Sequence, residues 1–459
     1  MINIKIDSRK VQKGDTFVAL PGSTVDGHDY VAKAYELGAT KAIVEHKVDC
    51  EIEQEVVSDT NKWLVDYISK HYAPEINQMN IIGVTGTNGK TTTAYLTYQI
   101  LNELGSKTSY IGTIGFYLPD EDFRELPNTT PNILDLYELL LESKEKGCKN
   151  VMMEVSSHAL DQKRVEGLVY KVAAFTNLTQ DHLDYHKTMD NYLQAKMLIL
   201  KQLDGPMIVN ADDDYADKWV AAYDNTLTFG LKGKDYKIEK YTDTEKGTHI
   251  LFNAKGKDYE VETNLRSTFN VYNYLTALSL INNIGFSIEE IIKVTPDIYP
   301  PKGRCQLIKV KDGEAVIDYA HTPDAVEKIV KAFSENKKGR IITIIGCGGD
   351  RDRSKRPIMA HTAEVYSDYV IFTNDNPRTE DEKNIMNDIL EGAQQNNHEV
   401  IFERGEAIKK GISLLKDNDI LLILGKGHED YQIIGTTKYH FSDKEIVQEN
   451  IKERMGVNE

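Results

Sequence analysis

The stretch that decides the fold is IIGVTGTNGKTTT, at residues 81–93. An apolar run ends in a turn bracketed by two glycines, and a segment compatible with a helix follows at residues 94–104. In a loop between a strand and a helix, small residues allow backbone N–H groups to turn inward around an anion. The helix N-terminus adds unpaired donors and the positive end of its dipole. The stretch therefore predicts a phosphate loop that binds ATP.

The side chains of this loop support that prediction. Lys90 supplies a charge for the terminal phosphates, and the hydroxyl of Thr91 suits a Mg2+ ligand. The spacing G-x-x-x-x-G-K-[ST] is not met, because Val84 stands where the first glycine is expected. What remains is a contracted loop, whose expected ATP-binding residues are Gly86, Thr87, Asn88, Gly89, Lys90, Thr91 and Thr92.

Length and composition limit the classes of protein that the chain can be. A chain of 459 residues exceeds what one hydrophobic core usually supports, so two to three domains are expected. No apolar run approaches the roughly 20 residues that span a bilayer, which predicts no membrane insertion. Four scattered cysteines and the lack of an apolar N-terminal segment predict a reducing cytoplasm. The net charge of −17 argues against binding of nucleic acid.

Three α/β segments follow one another along the chain. Residues 1–78 form a small α/β unit, for which a scaffold role and a substrate-docking role through the loop at 23–25 are equally open. Residues 79–298 alternate buried strands with helices after the phosphate loop, which predicts a mostly parallel sheet with helices on both faces. Residues 299–459 follow the doubly wound, Rossmann-like pattern. The predicted fold class is α/β, with three domains at these boundaries.

Several elements are predicted closely enough to be checked. A helix is expected from about residue 61 to 72, stopped near Pro74, and another from about 272 to 284, capped by Gly285. The strands of the third segment are expected at residues 315–317, 341–345, 369–372, 400–402 and 420–424.

Polar clusters of the central segment follow its predicted strands, where open α/β sheets bind ligands. Glu154 is well placed to hold Mg2+ directly or through water, although a Glu that caps a helix N-terminus is the commoner case for such a residue alone. His182 lies in TNLTQDHLDYH (176–186), where two His and two Asp exceed what a solvated turn requires. Lys196, taken alone, is interpreted as a surface lysine on a helix.

Four loops at strand ends of the third segment pair arginines with acidic residues: DYAHTP (318–323), GCGGDRDR (346–353), DNPR (375–378) and GKGHED (425–430). On one sheet edge they predict a mixed-charge pocket for a zwitterionic ligand, with guanidinium for carboxylate and carboxylate for ammonium. Nicotinamide binding is disfavoured, because Arg351 stands where G-x-G-x-x-G requires glycine.

Together these residues resemble the Mur ligase family over essentially the whole chain. The resemblance rests on TGTNGKTT (85–92), NTTP (128–131), EVSSH (154–158), NLTQDHLD (177–184), DYAHTP (318–323), GGDRD (348–352), DNPR (375–378) and GKGHE (425–429). Any one motif is moderately specific, whereas all of them in this order are very specific. Val84 also matches this family's form of the loop. The likeness is greatest to the branch that adds a diamino acid.

The resemblance implies three domains that bind, in order, a UDP-sugar, ATP and the incoming amino acid. It implies an ATP-dependent amide ligase of peptidoglycan precursor synthesis. The carboxylate of UDP-MurNAc-L-Ala-D-Glu becomes an acyl phosphate, which the amine of meso-diaminopimelate attacks. The expected partners are ATP and these two substrates, with Mg2+ as cofactor, and the protein is expected to be a cytoplasmic monomer that binds no nucleic acid.

The resemblance also carries over site residues. Those matching UDP-MurNAc-peptide positions are Ser8, Ser23, Thr24, Val25, Thr129, Thr130, Ser156, Gln162 and Arg164. Further ATP positions are Asn273, Arg304 and Asp318. Expected catalytic residues are Lys90, Glu154, His182 and Lys196, and expected Mg2+ ligands are Thr91, Glu154, His182 and a carbamylated Lys196 (N6-carboxylysine). Those matching the diaminopimelate pocket are Arg351, Asp375, Asn376, Pro377, Arg378, Gly425 and Glu429.

The roles that the resemblance implies for Lys196 and Arg378 matter most. The resemblance reverses the interpretation of Lys196, because carbamylation replaces a cation with a carboxylate-like group that can help hold a second Mg2+. It makes Arg378 the selecting residue, because a guanidinium there takes the distal carboxylate that diaminopimelate has and L-lysine lacks. Lysine-adding relatives lack this Arg.

Two alternatives to this function are weighed. The first is a folylpolyglutamate-type or other Mur ligase, which shares the ATP core; the loop at 375–378 and the Ser8 segment speak against it. The second is a nucleotide-binding regulatory or assembly protein without catalysis, which is expected to lose Glu154, His182 or Lys196, and all three are present.

Overall fold

The structure is a computed structural model that describes residues 3–22, 25–119, 121, 123–244, 247–310, 313–335 and 337–455. The chain forms two compact units. The first comprises Met1–Gly83, Ser106–Val172 and Ala195–Gly205, and the second Val84–Gly105, Ala173–Gln194 and Pro206–Glu459. The three domain boundaries expected from the sequence stay a prediction.

The strands of the described residues are β1 (Ile4–Lys5), β2 (Thr16–Val18), β3 (Lys41–Val44), β4 (Glu53–Val56), β5 (Asn80–Thr85), β6 (Thr108–Gly112), β7 (Gly115–Tyr117), β8 (Asn150–Glu154), β9 (Tyr170–Phe175), β10 (Met207–Asn210), β11 (Thr226–Gly230), β12 (Tyr236–Asp243), β13 (Thr248–Ala254), β14 (Lys257–Thr263), β15 (Gln306–Val310), β16 (Gly313–Asp318), β17 (Ile341–Ile345), β18 (Tyr369–Phe372), β19 (His398–Val400), β20 (Asp419–Leu424), β21 (Tyr431–Ile434) and β22 (Thr437–His440).

The α-helices are α1 (Val31–Glu36), α2 (Thr60–Ile76), α3 (Lys90–Glu103), α4 (Ile133–Glu145), α5 (Ser157–Asp161), α6 (Leu183–His186), α7 (Met189–Met197), α8 (Ala216–Ala222), α9 (Thr268–Asn282), α10 (Ile288–Val294), α11 (Pro323–Glu335), α12 (Lys355–Tyr366), α13 (Glu382–Leu390), α14 (Arg404–Leu414) and α15 (Asp443–Met455). None of these described helices is both long and apolar enough to cross a membrane.

The first unit contains two sets of strands. β1, β2, β3 and β4 pair in that order, all parallel, over a core in which Phe17 and Val44 meet Val31 and Ala34 of α1. In the other set the order is β7-β6-β8-β5. β8 is buried along its length, as its continuous apolar sequence predicts for a strand covered on both faces.

In the second unit, β9 through β12 pair in order as parallel strands, and β13 and β14 extend this sheet in the antiparallel sense. Helix α9 is apolar around most of its circumference and packs against α3, as a fully buried helix does. The predicted antiparallel strands between about residues 237 and 261 are confirmed.

The last sheet has the order β15-β16-β20-β17-β18-β19, parallel except for the edge strand β15. Successive side chains of a strand point to opposite faces of the sheet. Residues of its strands therefore pack alternately into two separate hydrophobic cores, one on each face. Helices α11, α12 and α13 cover one core, and α14 and α15 cover the other. The doubly wound arrangement is therefore confirmed.

Three predicted boundaries are wrong. The helix expected to stop near Pro74 continues to Ile76, because a proline within the last turn removes only a single hydrogen bond. The helix expected from about residue 272 begins at Thr268, after Ser267, whose φ is positive (80°). The strand expected at 400–402 is His398–Val400, which the register with β18 fixes.

Candidate active site

The phosphate loop joins β5 to α3, and two glycines give it its shape. Gly86 and Gly89 have φ angles of 144° and 85°, which residues with a side chain rarely adopt. A Cβ on Gly86 would lie 2.0 Å from Thr176 Oγ1, and one on Gly89 would lie 2.5 Å from Asn273 Oδ1. The loop therefore needs glycine at both positions.

Lys90 and Thr91 follow the loop at the start of α3. The Lys90 ammonium donates to the carbonyls of Gly86 and Thr87, at 2.9 Å each. The Thr91 hydroxyl accepts a hydrogen bond of 3.2 Å from Nη2 of Arg304. Two cations are thus gathered where the sequence predicts terminal phosphates.

Asn88 at the tip of the loop is held from two sides. Its carbonyl accepts hydrogen bonds from Thr176 Oγ1 at 2.6 Å and from Asn177 Nδ2 at 3.0 Å. Its own amide Nδ2 donates to Asp324 Oδ2 at 2.7 Å. The sequence analysis placed Thr176 in a polar cluster and Asn177 in that cluster and in a family motif, but it gave neither a role and did not single out Asp324. No spacing signal joins residues so far apart in sequence.

A cavity of about 390 Å³ opens beside the loop within the second unit, a volume in the range of small-molecule sites. Six expected ATP-binding residues line it: Asn88, Gly89, Thr92, Asn273, Arg304 and Asp318. Aromatic side chains form part of the lining: Phe229, Phe269 and Tyr272, which the sequence analysis did not single out, and Tyr319, which it gave only as part of the DYAHTP motif. The arrangement suits a nucleotide, with apolar surface for a base and donors for phosphates.

Arg304 and Asp318 are both fixed at this cavity. The Arg304 guanidinium lies 4.5 Å from the centroid of the Tyr319 ring, a cation–π contact. The Asp318 carboxylate accepts backbone N–H groups of Cys305 at 2.6 Å and Ala320 at 2.8 Å. Burial raises the pKa of Asp318, against the lowering effect of Arg304 and these hydrogen bonds.

His182 has a left-handed backbone (φ 53°) and follows the buried Asp181. Asp181 Oδ1 accepts from the backbone N–H of His182 at 2.9 Å and from Lys355 Nζ at 2.6 Å. Although burial raises the pKa of Asp181, the charges of His182 and Lys355 outweigh it and hold that pKa well below its usual range. Asp181 therefore ties the His182 loop to the start of α12.

A second polar site of this unit gathers the expected amino-acid residues. Asn376 Nδ2 donates to Glu429 Oε2 at 2.9 Å, and a Cβ on Gly425 would lie 2.8 Å from Asp375 Oδ2. Lys426, fully buried, donates to Asn376 Oδ1 at 3.2 Å and to Glu429 Oε2 at 2.9 Å. Sequence reasoning quoted Lys426 in a motif but gave it no role.

Arg378 lies at the edge of this site in a left-handed conformation (φ 53°). Its Nη1 donates to the carbonyl of Gly349 at 2.9 Å, and Nε and Nη2 make no hydrogen bond to any described residue. Pro377 packs so closely on Gly349 that a Cβ there would lie 1.9 Å from its carbonyl oxygen. Arg351 is exposed and donates to Asp350 O at 2.9 Å.

In the first unit, Glu154 is fully buried at the end of β8. Its carboxylate accepts from the Tyr110 hydroxyl at 2.6 Å and from the backbone N–H of Thr113 at 2.8 Å. The Thr113 hydroxyl also lies 3.0 Å from that of Thr129. Ser156, not Glu154, caps the following helix, so the capping interpretation of Glu154 is wrong.

The other expected sugar-peptide residues of this unit form one hydrogen-bonded group. The Thr130 hydroxyl donates to Glu154 O at 2.9 Å and accepts from Ser156 N at 3.1 Å. Arg164 Nη1 donates to Thr130 O at 3.0 Å, and its Nε donates to Gln162 Oε1 at 2.9 Å. The structure thus brings Thr129, Thr130, Ser156, Gln162 and Arg164 together around Glu154.

The remaining predicted residues of the first unit have different surroundings. Lys196 in α7 is 1% exposed, so its interpretation as a surface lysine is wrong; the apolar spacing of a short helix does not tell which face is covered. Ser8 is buried and Val25 is exposed. Ser23 and Thr24 lie outside the described residues.

Comparison with known proteins identifies the family. The model described as "Mur ligase family, catalytic domain" matches residues 2–80, "Mur ligase middle domain" residues 84–281, and "Mur ligase, glutamate ligase domain" residues 303–427. A relative from Bacillus cereus, UDP-N-acetylmuramoyl-L-alanyl-D-glutamate--2,6-diaminopimelate ligase, is 41% identical over 100% of this chain and 95% of its own. The chain belongs to the Mur ligase family.

Other Mur ligases agree with this assignment. A relative of the same name from Aquifex aeolicus is 41% identical over 97% of this chain and 92% of its own. A solved structure of that name has a TM-score of 0.70 at 31% identity, covering 99% of this chain and 95% of its own. The structure of the MurF ligase of Thermotoga maritima in complex with ADP has a TM-score of 0.70 at 20% identity, covering 99% of this chain and 97% of its own. It supports the fold alone.

As a Mur ligase, the chain is an ATP-dependent ligase of peptidoglycan synthesis that uses ATP and Mg2+. This confirms the resemblance drawn from the motifs, and it disfavours the alternative of a nucleotide-binding protein without catalysis. Among the described residues, no three His, Cys, Asp or Glu side chains are grouped to hold a metal ion. Mg2+ in nucleotide sites commonly takes phosphate oxygens and water beside one or two protein ligands.

Proposed function

We propose that this Mur ligase joins meso-diaminopimelate to UDP-MurNAc-L-Ala-D-Glu and splits ATP to ADP and phosphate. The position of Arg378 carries the proposal. Its guanidinium lies 3.5 Å from the backbone carbonyl of Asn376, whose side chain in turn bonds Glu429, so that the site offers a cation for a distal carboxylate and a carboxylate for an ammonium. The names of the relatives from Bacillus cereus and Aquifex aeolicus support the same substrate pair.

The proposed reaction has two steps. An oxygen of the D-Glu carboxylate attacks the γ-phosphorus of ATP, the bond to ADP breaks, and an acyl phosphate forms. The amine of diaminopimelate then attacks the carbonyl carbon and loses a proton, the C–O bond to phosphate breaks, and an amide remains. Lys90 and Arg304 lie where they can neutralise charge that develops on the transferred phosphoryl group.

The site residues take the following proposed roles. The cavity lined by Asn273, Arg304 and Asp318 binds ATP, with the loop from Gly86 to Thr92 at its phosphates. The group around Thr130 and Arg164 binds the MurNAc-peptide, and Ser8, Ser23, Thr24 and Val25 bind the UDP-sugar. The three proposed domains, 1–78, 79–298 and 299–459, bind the UDP-sugar, ATP and the amino acid in that order.

The residues proposed for Mg2+ fit a hard cation in their chemistry. Thr91 offers a hydroxyl and Glu154 a carboxylate already oriented by Tyr110 and Thr113, while the His182 imidazole is a less usual partner. When bound, Mg2+ neutralises phosphate oxygens. Lys196 is proposed as a ligand in its carbamylated form, which burial of its side chain favours over a surface role.

The protein is further proposed to be a cytoplasmic monomer without affinity for nucleic acid. Its four cysteines form no disulfide, which supports a reducing compartment, and ATP and UDP-linked sugars are substrates found there. Sedimentation at working concentration tests the monomer, because a second species at equilibrium contradicts it.

One isotope experiment tests the proposed chemistry. UDP-MurNAc-L-Ala-D-Glu labelled with oxygen-18 in its D-Glu side-chain carboxylate is incubated with the enzyme, ATP, Mg2+ and diaminopimelate. An acyl phosphate requires that one label from the carboxylate appears in the released phosphate, as mass spectrometry detects. Phosphate without label rejects the proposed intermediate. A reaction without the amino acid serves as the control.

A further inference from the structure

The loop that carries Arg378 is hydrogen-bonded to a β-hairpin that no sequence pattern predicted. β21 pairs antiparallel with β22 directly after the GKGHE motif. Gln432 Nε2 donates to the carbonyl of Asp375 at 2.7 Å, and the backbone N–H of Ile433 donates to Asn376 Oδ1 at 2.9 Å. The first strand of the hairpin therefore holds the beginning of the loop.

The same strand and its turn hold both backbone groups of Arg378. Arg378 N donates to Ile433 O at 3.0 Å, and Gly435 N donates to Arg378 O at 2.7 Å. The backbone of Arg378 has a φ of 53°, a region that residues other than glycine rarely adopt. Such a conformation persists only where surrounding contacts determine it, and here the hairpin supplies those contacts.

Lys426 holds the loop from the opposite side. Its fully buried ammonium donates to Asn376 Oδ1 and to Glu429 Oε2. The Asn376 amide oxygen is thus shared by Lys426 and the N–H of Ile433, while its Nδ2 is committed to Glu429. A buried cation needs such partners, and it fixes the Asn376 amide in one orientation.

We propose that Gln432 and Lys426 are positioning residues that set the amino-acid specificity by holding Arg378 in its left-handed conformation. Neither side chain needs to touch the amino acid; each acts through the loop. The inference rests on the proposed function for the identity of the amino acid, but the network exists whichever amino acid the pocket takes. Specificity is then a property of the hairpin as well as of the DNPR motif.

The test compares Gln432→Met with the wild-type enzyme. Methionine keeps the length of the side chain and removes the donor to Asp375. The expected result is a rise of about 5- to 30-fold in KM for diaminopimelate, the effect of one unsatisfied polar group, with unchanged KM for ATP and for UDP-MurNAc-L-Ala-D-Glu. The preference for diaminopimelate over L-lysine is expected to fall by a similar factor.

Three further variants complete the test. Thr437→Ala, on the exposed strand β22, is the matched control and is expected to leave every KM unchanged. Lys426→Met is expected to repeat the selective rise in KM, with Lys426→Arg recovering part of it.

An unchanged KM for diaminopimelate in Gln432→Met overturns the inference. An equal rise in all three KM values also overturns it, because it indicates a general structural role. If the wild-type enzyme uses an amino acid other than diaminopimelate, the proposed function is wrong, and the same variants measured with that amino acid still decide the positioning role.

Discussion

Lys355 Nζ lies 2.6 Å from Oδ1 of Asp181, so an ion pair joins the first residue of α12 to the loop of His182. The side chains are 16% and 11% exposed, and the same oxygen of Asp181 accepts the backbone N–H of His182. The next residue, Arg356, is 1% exposed and donates to Glu380 and to Gly348 O. One short segment of α12 is therefore bound to both the His182 loop and the amino-acid loops.

Lys355→Met is expected to lower both the stability of the protein and its turnover rate, because it removes the ammonium that is hydrogen-bonded to the buried Asp181 carboxylate. Loss of one partner of a buried pair costs about 3 kcal/mol in the free energy of unfolding, which urea denaturation measures. Lys218→Met is the matched control, since its pair with Asp190 is exposed (53% and 81%) and is worth roughly 1 kcal/mol or less. Equal losses in the two variants contradict the role of the Lys355 pair.

His428 is expected to make the protein less stable in mild acid. Burial, with the charges of Arg304, His321 and Lys426, lowers the pKa of His428 to about 3. In the unfolded chain His428 takes up a proton near pH 6.5, whereas in the folded protein it does not. The free energy of unfolding is therefore highest above that pH and decreases as the pH drops towards 3.

The size of this effect follows from linkage. Between pH 7 and pH 5 the loss due to His428 is about 2 kcal/mol in the free energy of unfolding. Denaturation of wild type and of His428→Gln at both pH values measures this loss. Between pH 7 and pH 5 the free energy of unfolding is expected to fall by about 2 kcal/mol less in the variant than in the wild type. Identical losses show that the imidazole already titrates normally in the folded protein.

Arg378→Ala is expected to weaken use of diaminopimelate and to leave L-lysine little affected. Removal of a guanidinium from a carboxylate costs roughly 1.5–3 kcal/mol, or about 10- to 100-fold in kcat/KM. Arg353→Ala is the control, because that arginine is 62% exposed and its partner Asp388 is not among the expected diaminopimelate residues. Steady-state kinetics with both amino acids give the comparison, and unchanged kinetics of Arg378→Ala refute the assignment.

Lys196→Ala is expected to reduce turnover by about 10- to 100-fold, as loss of a group that orients a metal site does. If the lysine is carbamylated, short carboxylic acids such as acetate restore part of the activity by supplying the missing carboxylate. A carbamate signal in carbon-13 NMR under labelled CO2, present in wild type and absent in the variant, is a second readout. Lys201→Ala, exposed on the following turn, is the control. A fully active Lys196→Ala variant contradicts the proposal that a carbamate on Lys196 takes part in the reaction.

The sequence predicts the buried parallel strands well, because long apolar runs admit few alternatives. β17 and β18 occupy the same residues that were expected, and the phosphate loop lies between a strand and a helix as expected. The hairpin β21–β22 was missed, since its strands are short and show no alternation of buried and exposed residues: β21 is mostly half-buried and β22 is exposed. Its role depends on contacts with a loop far earlier in the chain, as for Gln432 and Asp375, which are 57 residues apart.

The site could be predicted only in part for the same reason. Asn273 and Arg304 were placed at the cavity by resemblance. Phe229, Phe269 and Tyr272 of the aromatic lining come from β11 and α9, which carry no motif. The Asp181–Lys355 pair joins residues 174 positions apart, and nothing in either local sequence marks the partner. Burial of Lys196 likewise depends on packing that a single short helix does not reveal.

The central claim is that Arg378 selects an amino acid with a distal carboxylate. Phosphate release is measured with ATP, Mg2+ and UDP-MurNAc-L-Ala-D-Glu, and either meso-diaminopimelate or L-lysine is added. The account predicts release with diaminopimelate and little or none with lysine. Release with lysine but not with diaminopimelate contradicts it.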